Sequence, residues 1–72
     1  MDDELPARLR TAADSHDDAA RRHEQEADHW ASLGDTERMA LARRGAALRR
    51  SSAELERDQA DLIDRRGADP QP

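Results

Sequence analysis

The chain has 72 residues, 40% of them charged, and a formal net charge of −5. That length allows one domain at most and little room for a core. Without cysteine it has no disulfide framework, no thiolate nucleophile and no zinc–thiolate site. With fourteen Ala, seven Leu and no Val, Phe or Tyr, the composition favours helix and argues against any sheet.

In chain order, residues 1–4 are expected to form a disordered tail. A first helix is predicted over 5–33, capped by Asp3, with Pro6 in its opening turn where the missing N–H does no harm. Gly34 and Asp35 form the turn, the first as a C′ residue and the second as the next N-cap. A second helix then runs over 36–66. Arg65 and Arg66 suit the negative end of its dipole, and Gly67 and Pro70 stop it. Residues 67–72 are expected to form a second disordered tail. No apolar run approaches the roughly 20 residues that span a bilayer, and Met1-Asp2-Asp3-Glu4 is unlike a signal peptide. A cytoplasmic protein with no membrane partner is therefore expected.

Leu41, Leu48, Leu55 and Leu62 recur at seven-residue steps, as do Leu9, His16, His23 and Trp30. Such ladders are the pattern of coiled-coil packing. If the chain folds back at Gly34-Asp35, Leu9 faces Leu62, His16 faces Leu55, His23 faces Leu48 and Trp30 faces Leu41; each pair of residue numbers adds to 71. The ladder and the capping residues thus place the turn at the same point. The expected fold is all-α: an antiparallel two-helix coiled-coil hairpin with those eight residues as its core. Ala13, Ala20, Ala27, Met39, Ala42, Ala46, Ala53, Ala60 and Ile63 make the apolar stripe wider than one neighbouring helix covers. They are the expected dimer interface, through which two hairpins would pair into a four-helix bundle.

Some residues carry chemistry as well as packing. His16 and His23 occupy seam positions where Leu is expected, as neutral packing histidines, as a pH switch, or as imidazole ligands for a metal. Packing is the plainest of the three, so no metal or cofactor is expected. Glu26 and His29 have the Glu-x-x-His spacing of di-iron bundles, but the register sets arginines opposite them. Arg43, Arg50 and Arg57 form a basic stripe, interrupted by Glu54, Glu56, Asp58 and Asp61, which disfavours nucleic acid. Three acid-first pairs are spaced to stabilise one helix each: Asp17–Arg21, Asp18–Arg22 and Asp61–Arg65. Residues 1–36 hold ten acids and four arginines, a net of −6, and residues 37–72 hold seven acids and eight arginines, a net of +1. No nucleophile–base set or phosphate-binding loop is present, so catalysis is not expected.

The spaced histidines of HDDAARRHEQEADHW, the LGDTER turn and the helix ARRGAALRRSSAELERDQADL resemble a helical-hairpin segment found in small actinobacterial proteins and beside actinobacterial regulatory sensor domains. The resemblance covers about two thirds of the chain, from His16 to Leu62. It implies a regulatory or interaction role and transfers no catalytic residue. The expected function is a non-catalytic protein–protein interaction module that pairs with itself and with another protein. The alternatives are a histidine-dependent metal or pH sensor, and a small acidic antitoxin-like or phage-type inhibitor of a basic partner.

Overall fold

The structure, a computed structural model, describes residues 4–68. Two helices, α1 (Glu4–Ser32) and α2 (Thr36–Ala68), pack against each other as a hairpin measuring 60 × 17 × 10 Å. Among the described residues there is no strand. Glu4 belongs to α1, and Gly67 and Ala68 continue α2, so both helices reach into segments expected as tails. The proposed Asp3 cap and the rest of both tails lie outside the described residues.

Local chemistry accounts for the turn. Gly34 adopts φ 74°, a left-handed conformation that costs glycine no Cβ clash. Its N–H donates to the Ala31 carbonyl at 3.0 Å, and the Asp35 N–H donates to the Trp30 carbonyl at 2.9 Å. These are the two bonds that close a Schellman C-cap. The Asp35 Oδ1 then accepts from the Arg38 N–H at 3.0 Å, which caps α2. One aspartate therefore ends one helix through its backbone and starts the next through its side chain.

The helices run antiparallel, and their cross-seam ion pairs fall at number sums of 71 and 74, the latter for Arg10–Asp64, Arg50–Glu24 and Arg57–Asp17. Arg10 reaches Asp61 at 2.9 Å and Arg57 reaches Asp14 at 2.8 Å, and both pairs of numbers add to 71.

What fills the seam differs from the expectation. The buried apolar residues between the helices are Ala13, Ala19, Ala20 and Ala27 on α1 and Ala42, Ala46, Ala53 and Ala60 on α2. Met39 and Ile63 are half-buried on the same side. The residues expected at the dimer interface are thus the hairpin's own core. The four leucines expected as core are on the outside, Leu41 62%, Leu48 69%, Leu55 58% and Leu62 39% exposed, while Leu9, His16, His23 and Trp30 flank the seam half-buried. Methyl groups are the reason: with only Cβ atoms between them the backbones come close, and polar side chains reach across from one helix to the other. Each buried methyl contributes only about 0.8 kcal/mol. The seam contains no large, fully buried side chain.

Candidate functional site

Seven-residue spacing puts Leu41, Leu48, Leu55 and Leu62 in one row along α2, turned away from the alanine seam. At the open end, Leu62 shares a shallow hollow with Leu5, Leu9, Gln59 and Ile63. Near the turn, Leu41 shares another with His23, Glu26, Trp30, Arg38 and Ala42. Leu9 and Leu62 thus line one hollow and Trp30 and Leu41 another, both on the surface of the hairpin and not inside the seam. The result is a single exposed leucine row with a hollow at each end. It spans 21 residues of helix, about 30 Å at 1.5 Å per residue.

The Trp30 ring is clamped at the turn end of this face. The Arg38 guanidinium lies 4.6 Å from its centroid, and His29 meets it edge-on at 5.0 Å. Arg38 is also 3.5 Å from Asp35, so the cation over the ring is fixed by the residue that caps its helix.

The other side of the hairpin is bound by ion pairs across the seam. Arg57 bridges Asp14 at 2.8 Å and Asp17 at 2.7 Å; Arg10 bridges Asp61 at 2.9 Å and Asp64 at 2.6 Å; Arg50 holds Glu24. The hydrogen bond from Arg57 holds the Asp17 carboxyl below its ordinary range, and Arg57 itself is raised, first by Asp17 and then by Asp14. Arg10 is raised by Asp64 and then Asp61. These contacts displace the pairs expected within single helices. Asp17 turns to Arg57 and not Arg21, Asp61 turns to Arg10 and not Arg65, and Asp18 pairs with Arg21 at three residues' spacing. Two of the three arginines of the basic stripe, Arg50 and Arg57, pair with acids of α1 in the same way.

The histidines are set by α2. His16 Nδ1 lies 3.1 Å from Arg49 Nη1, and because a guanidinium only donates, this nitrogen accepts. The proton of a neutral ring is then on Nε2, 3.1 Å from Glu56 Oε1. That contact is close but short of hydrogen-bond geometry, and Oε1 is buried with no hydrogen-bond partner. His23 does not face Leu48; its ring covers Gly45, at 3.4 Å from where a Cβ would stand. Its Nδ1 is 3.7 Å from Glu26. No group of three or more His, Asp or Glu side chains among the described residues is placed to hold a metal ion. Glu26 and His29 belong to no such group.

Among the described residues no helix is long and apolar enough to cross a membrane. Comparison with family models, with curated proteins and with solved structures finds no match to this chain.

Proposed function

We propose that the chain is a non-catalytic protein–protein interaction module that acts as a homodimer, a four-helix bundle closed over the leucine face. The observation that carries this reading is the exposure of four heptad-spaced leucines, 39% to 69%, on a hairpin whose other side is satisfied by its own ion pairs. A contiguous apolar row of this kind is a binding surface or a liability. A second copy is the fitting occupant because an alanine seam gives a 72-residue chain little core of its own, and a second leucine row supplies the missing bulk. A regulatory setting is in keeping with the actinobacterial hairpin resemblance.

The alternative readings have less to rest on. Arg49 occupies one ring nitrogen of His16 and Glu56 lies against the other, which leaves a metal no free lone pair. The acids Asp14, Asp17 and Glu24 of α1 face arginines of α2, which withdraws them from an external basic partner.

Light scattering after size exclusion tests the proposal directly. The wild-type chain is expected at twice its 8.1 kDa mass. Leu48→Glu together with Leu55→Glu is expected to give a monomer that keeps its helical circular dichroism, since both side chains lie outside the seam. A wild-type chain that runs as a monomer at high micromolar concentration would overturn self-pairing.

A further inference from the structure

We infer that the two copies dock α2 against α2 antiparallel, with the two-fold axis passing between Ser51 and Ser52, and that surface charge fixes this register. The inference rests on the homodimer reading above and adds the orientation.

The leucine row is symmetric about its own midpoint. In an antiparallel pair centred there, Leu41 meets the partner's Leu62 and Leu48 meets the partner's Leu55, so all four rungs are used. The charges beside the row have the matching symmetry. Glu37, Arg44, Ser51, Asp58 and Arg65 also recur at seven-residue steps, each three residues after or four before a leucine of the row, on the side away from α1, and all five are exposed. The same axis brings Glu37 to the partner's Arg65 and Arg44 to the partner's Asp58, with the small, uncharged Ser51 at the centre. Among the described residues none of these four charged groups is in an ion pair, whereas Arg10, Arg50 and Arg57 on the opposite side all are. Hollows beside the row already hold Arg44 next to Leu48, and Asp58 with Arg65 next to Leu62.

The competing arrangements lose these attractions or put like charges together. A parallel, in-register pair turns the charged flank of each α2 toward the partner's neutral flank of Gly45, Ser52 and Gln59, so neither attraction forms. An antiparallel pair slipped by one heptad sets Arg44 beside the partner's Arg65, or, slipped the other way, Glu37 beside the partner's Asp58. Either slip also strands a leucine at each end. Attraction in one register and repulsion in its neighbours is how charge selects a partner orientation. The flank nearer α1 is neutral along the row, with Gly45, Ser52 and Gln59, and Arg38 beyond them is held over Trp30.

The test is a charge reversal and its rescue, read as the dimer dissociation constant by sedimentation equilibrium at low salt. Arg44→Asp is expected to weaken the dimer about tenfold, since it turns two symmetry-related surface attractions into repulsions. Adding Asp58→Arg is expected to recover most of that loss. If neither variant changes the constant while Leu48→Glu with Leu55→Glu still gives a monomer, the antiparallel register is overturned and the leucine interface stands. If Arg44→Asp weakens the dimer and Asp58→Arg fails to rescue it, the pairing of these two positions is overturned. A monomeric wild type overturns the inference together with the reading it rests on.

Discussion

Gly45 is the residue at which helix propensity and tertiary packing pull in different directions. Inside a 33-residue helix, glycine costs about 1 kcal/mol relative to alanine. Here its bare Cα makes room for the His23 ring, which would stand 3.4 Å from an added Cβ, the near edge of ordinary contact. His23 is only half-buried and can yield by a fraction of an ångström. Gly45→Ala is therefore expected to stabilise the hairpin by roughly 0.5–1 kcal/mol in urea denaturation; a loss of stability would show that the ring is held more tightly than its exposure indicates. The sequence marks Gly45 as a breaker and His23 as a seam residue, but it does not pair them. Assigning each histidine to the opposite leucine assumes bulky rungs at the centre of the seam. Once alanine takes that place, the ring falls three residues away, onto the gap in α2.

At the scale of the helices, the turn is legible because it rests on local chemistry. Gly34 for the left-handed cap and Asp35 for the next N-cap are read from residue type alone, and the turn they define brings α1 back against α2 as a hairpin. Which apolar stripe turns inward is not legible in the same way. Bulk argues for leucine inside, but alanine inside brings α1 and α2 close enough for Arg57 to span Asp14 and Asp17, a gain that no periodicity within one helix reveals. These cross-seam pairs make the fold acid-sensitive. The Asp17 carboxyl titrates below its ordinary value of 3.8, so its contribution is fully present above that pH and is lost as pH falls through the lowered value. Arg57 stays charged throughout and adds no slope of its own below pH 7. The thermal midpoint is expected to hold level from neutral pH to about 5 and to decline below 4, and Asp17→Asn should flatten part of that decline. A midpoint equally steep in the variant would assign the acid sensitivity to other carboxylates.

For the whole molecule, the outcome is a thin plank with two unlike sides, one fastened by ion pairs and the other carrying the leucines. Heptad spacing in the sequence identifies both stripes, but only the three-dimensional arrangement separates the one that builds the hairpin from the one left exposed. The single tryptophan lies where those two roles meet. Trp30 sits at the turn end of the leucine face, sharing a hollow with Leu41, and its ring is covered by the Arg38 cation. Its emission thus becomes a built-in optical gauge of the proposed self-assembly. If the leucine row pairs as proposed, dilution through the dissociation constant should expose that hollow to water and move the fluorescence to longer wavelength while the helical signal persists, so docking and unfolding can be followed in one cuvette without attaching a dye.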